Sequence, residues 1–218
     1  GVRRAAASQS PELFLSFDPA TRELVTRPMK GTRPAGGAAA LSESPKDRAE
    51  LAMIVDLMRN DLGRVCRLGS VRVDEARVIE RHGTGPSEIV QATATVRGEV
   101  PAGASAWDVL RGTFPGGSVT GAPKIRAMQI IDELEPVARG PYCGAMGFVS
   151  DSGHMAFNLA IRTALISGHG DVRGRIEGEV SYSVGAGIVA DSRAEEEWEE
   201  TLQKAAGFEH VLRLGRLS

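Results

Sequence analysis

The chain has 218 residues, 42% of them apolar, and a net charge of −2 with both signs interspersed. A globular fold with a substantial core follows, and there is neither a basic stripe for nucleic acid nor a polybasic run for an anionic membrane surface. The two cysteines, Cys66 and Cys143, lie far apart and outside any CxxC spacing, which excludes a disulfide framework or thiolate zinc site and fits a reducing compartment. No apolar run approaches membrane-spanning length, and the opening GVRRAAASQS has no hydrophobic signal core, so the expected location is the cytoplasm.

Residues 12–17 (ELFLSF) and 23–27 (ELVTR) read as two strands joined by the turn-rich Asp18-Pro19-Ala20-Thr21, a hairpin. Residues 28–43 are rich in Gly, Pro and Ala, lack periodicity, and read as a long functional loop. Ser44-Pro45-Lys46-Asp47 combines an N-cap, a proline at N1 and an acid at N3. With Leu51, Ile54, Val55 and Met58 at helical spacing, it predicts a helix to about Asn60. Strands are expected at 70–73 and 89–97, and a helix capped by Ser105 over 105–113. A glycine-rich loop, 114–122, runs into a helix with Pro123 at N1 and Ile125, Met128, Ile131 and Leu134 on one face. The last third predicts strands at 143–150, 155–166 and 172–184, with turns at 151–153 and 168–170, and a helix over 193–214. The sum is an α+β fold, mainly antiparallel, in one domain spanning 1–218.

Two carboxylate pairs fall at i,i+3 on predicted helices: Asp47 with Glu50, and Glu197 with Glu200, Lys204 lying one turn further on. Each pair lies on one helical face. If the two helices face each other, four carboxylates converge and repel unless a cation separates them. Oxygen-only ligands suit a hard ion such as Mg²⁺, which takes one or two protein carboxylates and keeps waters. The same spacing also fits ordinary surface charge, with Glu200 and Lys204 as a simple i,i+4 pair. The loop Gly116-Gly117-Ser118-Val119-Thr120-Gly121 before a helix offers N–H groups and hydroxyls to an anion, although Lys124 is misplaced for a phosphate-binding GxxxxGK[ST] loop. Gly185-Ala186-Gly187 after a strand allows a ligand close approach to backbone. Lys30, in Pro28-Met29-Lys30-Gly31-Thr32-Arg33-Pro34, is a nucleophile only if a cation such as Arg33 or a metal, or desolvation, removes its proton. His82, His154, His169 and His210 have neither triad nor metal spacing and receive no role.

Taken together, Ser10-Pro11-Glu12, the run 53–63 (MIVDLMRNDLG), the loop 114–124, the segment 185–189 (GAGIV) and the run 197–204 resemble the chorismate-binding enzymes. These include the component I chains of anthranilate and aminodeoxychorismate synthase and the isochorismate and salicylate synthases. The resemblance implies the anthranilate synthase component I-like fold, antiparallel sheets with helices packed outside. It also implies Mg²⁺ held against the chorismate carboxylate by Glu50 and Glu200, with Asp47 and Glu197 as neighbouring or water-mediated ligands. It places Thr32, Thr120, Tyr142, Arg162, Gly185, Ala186 and Gly187 around the substrate, Lys204 near the metal-bound carboxylate, and Glu12 as general acid/base. Arginine and backbone N–H groups suit carboxylates because these accept paired hydrogen bonds. Members that aminate at C4 carry lysine where this chain has Lys30, whereas anthranilate synthases usually have alanine. The implied reaction is therefore amination of chorismate to 4-amino-4-deoxychorismate, the aminodeoxychorismate synthase component I branch of para-aminobenzoate and folate biosynthesis. The ammonia would come from a partner glutamine amidotransferase, since the chain contains no glutaminase-like Cys/His motif. Gln91 stands where many relatives have histidine and Ala94 where serine is frequent, and 82–87 aligns poorly. The resemblance begins just before the Ser-Pro-Glu motif, so an N-terminal portion of the family domain is expected to be missing, with part of the sheet core exposed. The alternatives are anthranilate synthase component I and a catalytically inactive binding or assembly module.

Overall fold

A computed structural model of the chain describes residues 2–85, 88–170 and 176–215. Its strands are β1 (Val2–Ser8), β2 (Leu13–Asp18), β3 (Glu23–Arg27), β4 (Met29–Pro34), β5 (Arg72–His82), β6 (Ile89–Glu99), β7 (Ala145–Val149), β8 (Met155–Leu159), β9 (Thr163–Gly170) and β10 (Ile176–Tyr182). The helices are α1 (Ala38–Glu43), α2 (Pro45–Gly63), α3 (Ala106–Thr113), α4 (Lys124–Leu134) and α5 (Ala194–Gly215). Two compact units emerge, both discontinuous in sequence: Glu12–Ala138 with Ala145–Leu159, and Gly1–Pro11 with Arg139–Gly144 and Ala160–Ser218. Every strand pairing in both is antiparallel, as the α+β reading expects.

The larger unit is built on a seven-stranded sheet in the order β4-β6-β3-β2-β8-β7, with β5 on the other edge of β6. The β2–β3 hairpin forms as read. The long β6 pairs with β4 along its first half and with β3 along its second, and it is buried along almost its whole length rather than alternately. Helix α2 packs on β4, β5 and β6, and its apolar stripe contributes Leu51, Val55, Met58 and Leu62 to a core shared with Phe14, Leu15, Leu24, Val90 and Val96. Full burial of such side chains stabilises by about 1.5–3 kcal/mol each. Ser44 caps α2 by accepting from Asp47 N, and Ser105 and Asp108 form a reciprocal capping box on α3, both as the sequence indicates.

Four local expectations change. Residues 28–43 are not a loop. Met29–Pro34 pairs with β6, whose ladder supplies hydrogen bonds that the Pro- and Gly-rich sequence gives no hint of, and α1 follows. The apolar run 155–166 divides, with β8 in the larger sheet and β9 in the smaller, and the expected turn at 168–170 is the end of β9. Pro123 sits at the N-cap of α4 rather than at N1, and no residue of α4 is buried; Ile125 and Leu134 are exposed. Of the strand expected over 172–184, Ile176–Tyr182 is observed, and 171–175 lie outside the described residues. The smaller unit holds the sheet β1-β9-β10 and α5, which confirms the C-terminal helix. β1, whose Arg- and Ala-rich sequence carries no strand signal, pairs with β9 from Val2↔His169 to Ser8↔Thr163.

Candidate active site

In the larger unit the cap at Ser44 starts α2 so that Asp47 and Glu50 stand on one face. Strand β4 faces them and carries Lys30, which is therefore on a paired strand rather than in a loop. Lys30 Nζ lies 2.8 Å from Glu50 Oε2, and Arg33 Nη2 lies 2.9 Å from Asp47 Oδ2. Gly31, between Lys30 and Thr32, interrupts the β4–β6 register at φ +78°. A Cβ there would stand 2.6 Å from Leu41 Cδ1 and 2.8 Å from Asp47 Oδ1, so glycine is what lets β4 approach the start of α2. Gln91 on β6 donates to Thr32 Oγ1 at 3.0 Å, which gives this glutamine a concrete partner.

Glu12, just before β2, is buried, and Ser118 Oγ donates to its Oε1 at 3.0 Å. Loss of water pushes its carboxyl up from 4.5 to about 7, against the opposing pull of the Ser118 hydroxyl and the Lys30 charge. A carboxyl poised near neutrality carries a proton part of the time and can donate it, the property a general acid requires. In the glycine-rich loop that supplies Ser118, three amides have partners within the protein: Gly117 N donates to Asp61 Oδ2 at 2.8 Å, Val119 N to Gly116 O and Thr120 N to Gly117 O. Thr120 Oγ1 gives its proton to Gly116 O at 2.9 Å, leaving oxygen lone pairs for a ligand.

In the smaller unit the second set of expected residues gathers around 185–204. Lys204 Nζ donates to Gly185 O at 2.8 Å and pairs with Glu200 Oε1 at 2.5 Å. Glu197, buried, accepts from Ser192 Oγ at 2.7 Å, and Ser192 in turn accepts from Val189 N. Gly185 lies against Tyr142: a Cβ on it would stand 2.7 Å from the phenol oxygen, so the ring would have to shift. Burial holds that phenol protonated far above its usual range, Cys143 adds to the effect, and Arg139 and Arg162 oppose it. The Arg162 guanidinium donates to Ile161 O at 3.2 Å, and its backbone N donates to Ser10 Oγ at 3.0 Å.

Every donor in the expected metal set is a carboxylate, which suits a hard cation. Glu50 already has a cation, the Lys30 ammonium, at 2.8 Å, so this carboxylate is placed to hold positive charge. Two carboxylates are as many as Mg²⁺ ordinarily takes from a protein. Among the described residues no group of three or more His, Cys, Asp or Glu side chains is placed to hold a metal ion. The sequence offers Ser118 only as one hydroxyl of the anion loop and points to no role for Asp61 or Lys124. The one available signal was an aspartate, Asp61, in register with the buried stripe of α2.

Residues 2–210 match the family model described as chorismate binding enzyme. The chain is 45% identical over 218 residues to anthranilate synthase component 1 of Synechocystis sp., covering 94% of this chain and 41% of that protein. It is also 45% identical over 208 residues to aminodeoxychorismate synthase component 1 of Escherichia coli, covering 92% and 43% respectively. The crystal structure of anthranilate synthase component I from Streptococcus pneumoniae superposes with a TM-score of 0.71 at 34% identity, over 93% of this chain and 43% of that one. The chain thus spans less than half the length of these relatives. With the family model matching nearly its whole extent, the chain belongs to the chorismate binding enzyme family.

Proposed function

We propose that this chain is the catalytic part of an aminodeoxychorismate synthase component 1, replacing the C4 hydroxyl of chorismate by an amino group. The observation that carries the proposal is Lys30, an amine beside the proton-carrying Glu12, at the position that separates C4-aminating members from anthranilate synthases. In the proposed reaction the Lys30 amine, released from Glu50 and deprotonated, adds at C2 while the C4 hydroxyl leaves as water with the proton of Glu12. Ammonia then attacks C4, the C2–lysine bond breaks, and one proton of the ammonium returns to Glu12. The sum is chorismate and ammonia to 4-amino-4-deoxychorismate and water, with the enolpyruvyl ether intact. Thr32, Thr120, Tyr142, Arg162, Lys204 and the backbone of Gly185, Ala186 and Gly187 are proposed to bind substrate, the cations and N–H groups meeting its carboxylates. Glu50 and Glu200, with Asp47 and Glu197 beside them, are the proposed Mg²⁺ carboxylates. The ion would supply charge neutralisation for a substrate carboxylate. A glutamine amidotransferase is the proposed source of ammonia.

Incubating the chain with chorismate, ¹⁵N-ammonia and Mg²⁺ and identifying the product by mass tests this reading. Anthranilate as the sole product would replace it with the anthranilate synthase reading, which the equal identity to the Synechocystis protein keeps in view.

A further inference from the structure

The loop that reaches Glu12 is held by a buried ion pair to which no role has yet been given. Asp61, on the inner face of α2, is 1% exposed. Its Oδ2 accepts from Gly117 N at 2.8 Å, and its Oδ1 lies 2.6 Å from Lys124 Nζ, a contact outside hydrogen-bond angles and therefore electrostatic. The Lys124 ammonium closes the other side of the loop by donating to Thr113 O at 3.0 Å and Pro115 O at 2.6 Å. The pair thus binds both the entry of the loop and its 3₁₀ turn at 117–119 to one helix. The loop is packed as tightly as it is bonded. A Cβ on Gly117 would come within 3.1 Å of Asp61 Oδ2 and of Leu57 Cβ, and one on Gly116 within 3.1 Å of Phe14 Cε2. The residue that follows Gly117 is Ser118, whose hydroxyl holds one oxygen of Glu12. Removing a charge from a buried pair costs more than the pair contributes, so an ion pair in this place fixes geometry more than it adds stability.

We propose that Asp61 and Lys124 are positioning residues: they lock the 113–121 loop against α2 so that Ser118 holds Glu12 Oε1 and leaves the second carboxyl oxygen to exchange the proton. The inference rests on Glu12 serving as the acid of the proposed amination, but its geometry can be read without substrate. The charged group acting on Glu12 is Lys30 from β4, and the loop contributes only the Ser118 hydroxyl. Losing that hydroxyl alone, as in S118A, removes a donor that favours the carboxylate and raises the Glu12 midpoint, whereas releasing the loop also admits water and weakens the burial that raises it most.

The test is a pH titration of the protonated-carboxyl infrared band, with Glu12 identified by subtracting the spectrum of E12Q. The wild-type midpoint is expected near 7, and S118A should raise it by about one pH unit, a tenfold change in proton affinity. In K124M the freed loop should no longer present Ser118 to Glu12, so S118A should lose its effect there, and S118A/K124M and K124M should share one midpoint. G117A leaves every charge in place, and its Cβ, 3.1 Å from Asp61 Oδ2 and Leu57 Cβ, crowds the loop against α2. It should weaken the S118A shift, and it carries the test if K124M loses its circular-dichroism signature. A full S118A shift persisting in folded K124M, or in G117A where K124M does not fold, overturns the proposal. A failure of the chorismate assay with this coupling present would refute the proposed reaction and leave the positioning device standing.

Discussion

Replacing Glu12 by glutamine should abolish a specific pH dependence of stability. Burial moves the Glu12 carboxyl from 4.5 to about 7. At about 1.36 kcal/mol per pH unit, the folded chain holds this proton more tightly than the unfolded chain by about 3 kcal/mol. Because the folded value lies above the unfolded one, that stabilisation is fully present below pH 4.5, declines between 4.5 and 7, and is lost above 7. Glutamine is neutral throughout and its carbonyl oxygen can still accept from Ser118, so E12Q should show no such loss. In urea titrations at pH 4.5 and 8.5, wild type should lose about 3 kcal/mol more than E12Q. That is about 1.5 M in midpoint for a slope of about 2 kcal/mol per molar. Parallel stability profiles for the two chains would refute the assignment of a buried, proton-holding carboxyl to Glu12.

G185A should lower the thermal midpoint by several degrees. Its Cβ would lie 2.7 Å from the Tyr142 phenol oxygen, an overpacking worth about 1–3 kcal/mol. G185A/Y142F should recover most of that loss, since the next atom is 3.8 Å away, and a double variant no more stable than G185A counts against the contact. D61N should destabilise by about 3–5 kcal/mol in chemical denaturation, because Lys124 would be left buried without its counter-charge; a loss below 1 kcal/mol would show the pair to be solvated. K30M should leave the fold intact by circular dichroism while kcat and kcat/KM for ammonia-dependent amination fall together by at least about 10²-fold, and amination at near wild-type rate would remove Lys30 from the chemistry.

The parts of the fold that were legible in the sequence are those that local physics decides. Ser44-Pro45 and Ser105 announce helices through caps that form within one turn, and the Asp18-Pro19-Ala20-Thr21 turn announces the hairpin. Strand β4 was hidden because Pro28, Gly31 and Pro34 interrupt any pattern and its hydrogen bonds come from β6, far along the chain. The carboxylate pairs were visible from their i,i+3 spacing, but Lys30 at Glu50, 20 residues away on another element, is a tertiary contact that no spacing encodes. Ser118 and Glu12, 106 residues apart, show the same limit most clearly. The α4 helix follows the expected period, yet of the apolar residues it aligns Ile125, Met128 and Leu134 stay exposed, since periodicity identifies a face without saying what covers it.

C4 amination is distinguished from its nearest alternative by the fate of the enolpyruvyl group, because formation of anthranilate expels that group and C4 amination keeps it. The decisive measurement is therefore to follow pyruvate release and ¹⁵N incorporation together while the chain turns over chorismate with ¹⁵N-ammonia and Mg²⁺. C4 amination predicts nitrogen bonded at C4 and no pyruvate. Pyruvate released in step with an aromatic amine labelled at C2 would contradict it.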